Sequence, residues 1–356
     1  LLVPKKTPLR SRSEASIRSQ WTKNIWLNTP FVSSNMATVT EHKMAIAMAR
    51  EGGLGVIHQF KSLKEQVEEV KKVKRSTSYV IENPISISPV VMIKDAVSIM
   101  NTTGVTSLLV LEGTKLVGIF TSRDYLFETE MEKRVSQVMT PLDKLITAEP
   151  EISLGNAKKI LHDNRIEKLP LVRDGEVKGL ITTKDIHKLE SWPNASRDSK
   201  GRLLVAVAVG VKDAIERAQA LVDVGADCIV LDVAHAHSDL VIQKLKELKQ
   251  NFSVDVMVGN IATGDAARDL IEAGADGLKV GIGPSKVCST RIVSGAGMPQ
   301  LTAVMNVVSV AKQYGIPVTA DGGMKYPGDV SKAIAAGASS IYSGSFFAGT
   351  DEAPGM

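Results

Sequence analysis

Cys288 stands where covalent chemistry is most easily done. It lies in Lys279-Val-Gly-Ile-Gly-Pro-Ser-Lys-Val-Cys-Ser-Thr-Arg291. That apolar run ends in Gly281, Gly283 and Pro284, and so reads as a strand passing into a tight loop. A thiol held there between Lys286 and Arg291 is placed to react as a thiolate, because neighbouring positive charge favours the ionised form. A small buried residue is the plain alternative. Cys228, the only other cysteine, sits inside the apolar run Asp227-Cys-Ile-Val-Leu-Asp232 and reads as core. A second set is Asp321-Gly322-Gly323 with Gly344-Ser345. Glycines let backbone N–H groups come close to a phosphate, and Asp321 could hold sugar hydroxyls; a simple turn is the alternative. His235 and His237 alternate as chelating histidines do, but no third ligand stands at metal spacing, so polar loop residues are expected. His58 reads equally as a structural histidine, and Phe346 and Phe347 as core.

Such groups need a scaffold, and its rhythm is legible. From Leu203 onward, short apolar strands at 203–209, 228–232, 255–259, 277–281, 316–321 and 339–343 alternate with helical patterns. Gly-Ala pairs at 225–226, 274–275 and 337–338 close several of those helices. Two further strand–helix units, with strands at 31–34 and 54–58, precede them. Strict alternation implies βαβ units and a parallel sheet. Between about Asn83 and Glu190 the rhythm breaks: Val117-Gly-Ile-Phe-Thr-Ser-Arg-Asp124 recurs as Lys178-Gly-Leu-Ile-Thr-Thr-Lys-Asp185. Removing that repeat leaves about 250 residues, the usual size of a (β/α)₈ TIM barrel. The predicted division is barrel at 1–83, an inserted α+β pair at 84–190 (repeats about 84–140 and 141–190), and barrel again at 191–356. In such a barrel the reactive groups lie at the C-terminal ends of the strands. Those ends carry Ser34 and Met36, Asp232, Asn260, Gly281 and Gly283, Asp321, and Gly344 with Ser345.

Bulk composition narrows the class. The 356 residues are 44% hydrophobic and 23% charged, as in a globular protein of about two domains. A net charge of +4 gives no argument for nucleic acid, and no apolar stretch approaches the ~20 residues that span a membrane. Lys71, Lys72, Lys74 and Arg75 read as a solvated helix end. Two cysteines in different settings suggest a reducing compartment. The chain begins without Met or a signal-peptide pattern, as a trimmed chain would.

Taken together these residues resemble the inosine-5′-monophosphate (IMP) dehydrogenase / guanosine-5′-monophosphate (GMP) reductase family. The cysteine loop through Gln300 carries the likeness most specifically. Ser33 to Glu41, Asp321-Gly-Gly with Pro327-Gly-Asp329, and Gly344-Ser345 through Gly355 support it. The repeat resembles a pair of cystathionine-β-synthase (CBS) motifs, which favours the dehydrogenase. The resemblance implies that Cys288 attacks C2 of IMP, that hydride passes to NAD, and that Thr290 helps activate water for hydrolysis to xanthosine monophosphate. It implies phosphate contacts at Ser34, Gly323 and Ser345, a ribose contact at Asp321 and base packing at Met36. Asp232, Asn260, Gly281 and Gly283 fall near the dinucleotide. A potassium ion would sit on carbonyls of Gly283, Ser285 and Cys288, and Asp124 and Asp185 would hold an adenine or guanine nucleotide in the insert. A cytoplasmic homotetramer or octamer is implied.

The chain also departs from the family pattern. Ser285-Lys286 replaces the usual Gly-Ser, so Lys286 would meet the phosphate. Ala37 stands where aspartate is common, and Val233-Ala234-His235 replaces a serine-rich stretch. The family's mobile flap would follow Met356; without it, hydride transfer is expected to proceed and hydrolysis to stall. The rival readings are GMP reductase, which uses NADPH, and a nucleotide sensor without turnover.

Overall fold

The computed structural model describes residues 1–76, 80–285 and 288–355, with only the backbone described for 187–189. The chain divides into two compact units, Leu1–Thr77 with Trp192–Met356, and Ser78–Ser191. The first is a closed barrel of eight parallel strands. In chain order they are β1 (Phe31–Ser33), β2 (Leu54–Ile57), β3 (Ala206–Val209), β4 (Cys228–Asp232), β5 (Asp255–Ile261), β6 (Gly277–Val280), β7 (Val318–Asp321) and β8 (Ser340–Ser343).

The apolar runs that predict these strands are continuous because both faces are covered. Val32, Leu54, Val56, Ala206, Ala208, Cys228, Val230, Met257 and Tyr342 fill the interior. Intervening residues such as Val207, Ile229, Val256 and Leu278 pack outward against the helices. Cys228 is fully buried in that interior, as its strand pattern predicts. The strand expected to begin at Leu203 begins at Ala206. Leu203 pairs instead antiparallel with Arg197, in a bridge that closes the loop leading to the barrel. Below the strands, a short antiparallel pair (Ser19–Gln20 with Trp26–Leu27) sends Trp21 and Leu27 into the base of the interior. Thr22 and Asn24 fasten it to the Asp255 carboxylate at the start of β5, at 2.5 and 2.6 Å.

The helix α1 (His42–Arg50) follows β1, and α2 (Leu63–Ser76) follows β2. At the end of α2, Lys71 is part-exposed and Lys72 and Arg75 are exposed, as expected, but Lys74 is a correction. Lys74 is buried, 4% exposed, with its ammonium 2.6 Å from Asp227, 3.1 Å from Asp198 and 3.0 Å from the Leu203 carbonyl. Two acids that the chain delivers from the turns around β3 and β4 give that charge a reason to be inside. Burial alone would raise the Asp198 carboxyl, but Lys74 and Arg202 outweigh it and hold it below its ordinary value.

The second unit is α+β and repeats itself. One hairpin joins Ser107–Glu112 to Lys115–Thr121, the other joins Lys168–Arg173 to Glu176–Thr182, and they meet at Lys115 and Glu176. Each hairpin carries a register shift at the same place in the repeat, Val110/Leu111 and Leu171/Val172. Each ends in the same helix start: Thr121 Oγ1 donates to Asp124 at 2.8 Å, and Thr182 Oγ1 to Asp185 at 2.6 Å. The strand Val80–Ile81 also belongs to this sheet, paired with Glu176–Thr182.

Candidate active site

The C-terminal ends of the barrel strands gather the chemistry into one mouth. After β1 the chain turns through Ser34, Asn35 and Met36. Ser34 is 5% exposed, and its hydroxyl is buried without a hydrogen-bond partner among the described residues. Beside it runs the turn after β8. A Cβ placed on Gly344 would come within 2.9 Å of both Ser34 Oγ and Met36 Sδ, so only glycine leaves this space open. Ser345 Oγ donates to the Met324 carbonyl at 3.2 Å, which ties the β8 turn to the Asp321-Gly322-Gly323 turn after β7. Gly322 and Gly323 have φ of +74° and +77°, a region that side chains other than glycine's rarely enter. The result is a small cradle of turns with an unsatisfied buried donor, the arrangement suited to an anion.

The cysteine loop rises after β6. Cys288 is half-buried, and its thiol lies 3.1 Å from Thr290 Oγ1. The turn is held by the Cys288 N–H donating to the Ser285 carbonyl at 3.1 Å. Thr290 opens a short helix, Thr290–Val293. Arg291 donates to the carbonyls of Ile282 and Met298. Its stem packs over Gly283 and Gly297, where a Cβ would fall 2.7 and 2.6 Å from Arg291 Cγ. It is a strut across the loop, because two inward-facing carbonyls lie within its reach. Lys286 lies outside the described residues.

Between cradle and loop lies a polar network centred on a residue that sequence reading missed. Lys279, on β6, is 3% exposed. Its ammonium sits 2.8 Å from Asp232 Oδ1 on β4, 2.7 Å from Asp321 Oδ2 on β7, and against Asn260 Oδ1 on β5. It also lies 5.0 Å from the centre of the Tyr342 ring on β8. Burial would lower its pKa, but the two carboxylates outweigh burial and raise it. Asp232 behaves reciprocally: burial raises its carboxyl, and Lys279 brings it below the ordinary value. Asn260 Nδ2 donates to Asp321 Oδ2 at 2.9 Å and to the Gly281 carbonyl at 2.7 Å. Asn35 Nδ2 donates to Asp232 Oδ2 at 2.8 Å, and the Tyr342 hydroxyl donates to Asn35 Oδ1 at 2.7 Å. Gln300 ties the carbonyls of Val280 and Asp321 together, at 2.8 and 3.1 Å. Among the described residues, Asp321 Oδ1 has no partner. One signal could have found Lys279: a lone cation within the apolar strand Gly277–Val280, beside strands that end in Asp232 and Asp321.

The remaining polar residues lie apart from this set. His237 bonds Asp269 at 2.8 Å, and His235 stands edge-on to it. His58 is buried at the end of β2; its Nδ1 accepts from the Phe60 N–H at 3.2 Å, and its Nε2 is 3.6 Å from Glu41. Glu41, His42 and Glu69 draw together within metal-ligand reach of one another. Lys61 and Lys72 already supply that group with cations, at 2.8 Å from Glu41 and 2.9 Å from Glu69. Phe346 packs against the outer barrel core, and Phe347 against Met44, Met48 and Ala353.

The IMP dehydrogenase / GMP reductase domain model matches residues 1–356. An inosine-5′-monophosphate dehydrogenase of Nitrosopumilus maritimus is 50% identical over 359 residues, covering all of this chain and 75% of the relative. One of Helicobacter pylori is 49% identical over 357 residues, covering all of this chain and 74% of the relative. Among solved structures, GMP reductase of Trypanosoma brucei with guanosine 5′-monophosphate superposes with a TM-score of 0.87 at 44% identity, covering 100% of this chain and 77% of that one. The same organism's enzyme with guanosine 5′-triphosphate gives 0.86 at 44% identity, covering 99% of this chain and 86% of that one.

Proposed function

The chain belongs to the IMP dehydrogenase / GMP reductase family, and on that premise we propose that it oxidises IMP to xanthosine monophosphate through a covalent bond to Cys288. It is an oxidoreductase. The observation that carries the mechanism is the pairing of the Cys288 thiol with Thr290 Oγ1 at 3.1 Å, on a loop beside the Ser34–Gly344 cradle. The IMP phosphate would take the Ser34 hydroxyl and the N–H groups of Gly322, Gly323, Gly344 and Ser345. Its ribose would take the free oxygen of Asp321, and its base would lie on Met36. That seats C2 for attack by the Cys288 thiolate. Asp232, Asn260, Gly281 and Gly283 would hold NAD, which would supply the hydride acceptor. Loss of hydride from C2 leaves a thioimidate on Cys288. Water held by Thr290 then adds to C2, and the C–S bond breaks to return the thiolate. IMP, NAD⁺ and water thus become xanthosine monophosphate, NADH and a proton. Covalent attachment makes C2 electrophilic enough for water.

Carbonyls of Gly283, Ser285 and Cys288 are hard oxygen donors of the kind a potassium ion takes; they would hold it and brace the loop. The Ser285 carbonyl already accepts from Cys288 N–H and would share its second lone pair. The Ser78–Ser191 unit we read as a CBS pair that binds a regulatory adenine or guanine nucleotide. A cavity of ≈340 Å³ supports this; its lining includes Thr121, Asp124, Lys144 and Lys168, with Glu167 beside Lys168. There Asp124 would take the ribose and the lysines the phosphates. Asp185, in the equivalent Thr182–Asp185 helix start, would serve the second copy. A homotetramer or octamer in the cytoplasm completes the reading. No helix among the described residues is long and apolar enough to cross a membrane.

The test is absorbance of reduced cofactor after mixing protein, IMP and NAD⁺. Formation of NADH, lost in Cys288→Ala, is expected. The GMP reductase neighbours favour one second reading. Reduction of GMP by NADPH, with no first turnover on IMP and NAD⁺, would establish it instead.

A further inference from the structure

We infer that Lys279 is a positioning residue that couples the substrate seat to the dinucleotide seat. The inference rests on the reading just given, in which Asp321 faces the IMP ribose and Asp232 the NAD side. One ammonium serves both carboxylates, at 2.7 and 2.8 Å, and its side chain is buried. Neither acid has another cation within ion-pair distance among the described residues. Their other partners are neutral: Asn35 for Asp232, and Asn260 for Asp321. The groups facing Lys279 are therefore Asp232 from β4, Asn260 from β5, Asp321 from β7 and the Tyr342 ring from β8. Burial and the two acids raise the Tyr342 hydroxyl well above its ordinary pKa, so it stays neutral.

Two carboxylates sharing one cation form a balance. A ribose hydroxyl that donates to Asp321 draws charge from its side of the ammonium and strengthens the hold on Asp232. The same holds in reverse, as reciprocity of binding free energies requires. The lysine cannot move aside to relax this balance. Gly259, next to Asn260, is a glycine because a Cβ there would lie 2.5 Å from the Lys279 carbonyl and 2.6 Å from its Cβ. That close approach pins the Lys279 backbone against β5 while Tyr342 backs its side chain.

The experiment is first-turnover kinetics of the full-length protein with IMP and NAD⁺ varied independently, in wild type, Lys279→Met and Lys279→Arg. Methionine should weaken both apparent affinities by about tenfold, within the usual range of site coupling, and lower the saturated rate less. Arginine should restore both. Should Lys279→Met fail to fold, Asp321→Asn carries the test. With one carboxylate neutralised, the NAD⁺ constant must change along with the IMP constant. A change confined to one ligand in either variant overturns the coupling, as does a folded arginine variant that behaves like methionine. A wild type that binds IMP and NAD⁺ without any first turnover would instead overturn the functional reading beneath it.

Discussion

Replacing Lys74 by methionine is the sharpest test of how the barrel wall is held. Methionine keeps the apolar stem but withdraws the cation from Asp227 at 2.6 Å and Asp198 at 3.1 Å, and the donor from the Leu203 carbonyl at 3.0 Å. Removing one partner of a buried pair costs about 3–5 kcal/mol. Arg202 remains 2.9 Å from Asp198, so the lower end, about 3 kcal/mol, is expected. Against a total stability of about 5–15 kcal/mol this is a large fraction. With a urea slope near 3 kcal/mol/M, the midpoint falls by about 1 M. Tryptophan fluorescence reads the barrel alone, because Trp21, Trp26 and Trp192 all lie in that unit. The two acids differ: burial raises the Asp227 carboxyl despite Lys74, so the loss of stability at low pH is that of Asp198, whose folded pKa is depressed. Its stabilisation is present above the unfolded carboxylate value and lost as pH falls through the lower folded one. The gap between wild type and variant should therefore narrow as pH is lowered through the carboxylate range. Adding Asp227→Asn should recover part of the loss, since it removes one stranded charge. A midpoint shift below about 0.3 M at pH 7 would mean that Lys74 is solvated after all.

Two further outcomes are expected. Glu69 is raised by burial but brought down to about 2 by Lys72 and His42. Its folded pKa is depressed, so Glu69→Gln should lower the melting temperature at pH 7, and the difference should fade between about pH 5 and pH 2; a difference independent of pH would show that Glu69 is not ionised in that role. Iodoacetamide should label Cys288, which is half-buried, and spare Cys228, which is fully buried and whose thiol burial pushes far up; peptide mass spectrometry after brief native labelling decides, and early modification of Cys228 would contradict the packed interior.

Much of this molecule is legible in its sequence because the signals are local. Alternation of apolar runs with Gly-closed helices marks every barrel strand to within a few residues. The repeat marks the second unit because Thr121–Asp124 and Thr182–Asp185 each encode their own helix start. The cradle is legible for the same reason, since glycine in Asp321-Gly-Gly and Gly344 announces a backbone conformation or a close approach. The strut that Arg291 forms was not legible, because its neighbours in sequence do not reveal which carbonyls the loop turns inward.

The two lysines mark where local reading stops. A lysine's place is set by where its counter-charges are, and a buried one is tolerated only if they arrive with it. Lys74 waits on Asp198 and Asp227, more than a hundred residues downstream in the chain. Lys279 waits on Asp232 and Asp321, from strands on either side of it in sequence. In both cases barrel closure, not the local run of residues, brings the acids in. The default of a solvated lysine was wrong at Lys74 for this reason, and Lys279 was passed over for the same one. Both are seated between a pair of acids, but the consequences differ by position. Near the base of the strands the triad can only stabilise; at their C-terminal ends the same arrangement lies between the two ligand seats proposed above. Lys279 can therefore transmit what Lys74 can only hold.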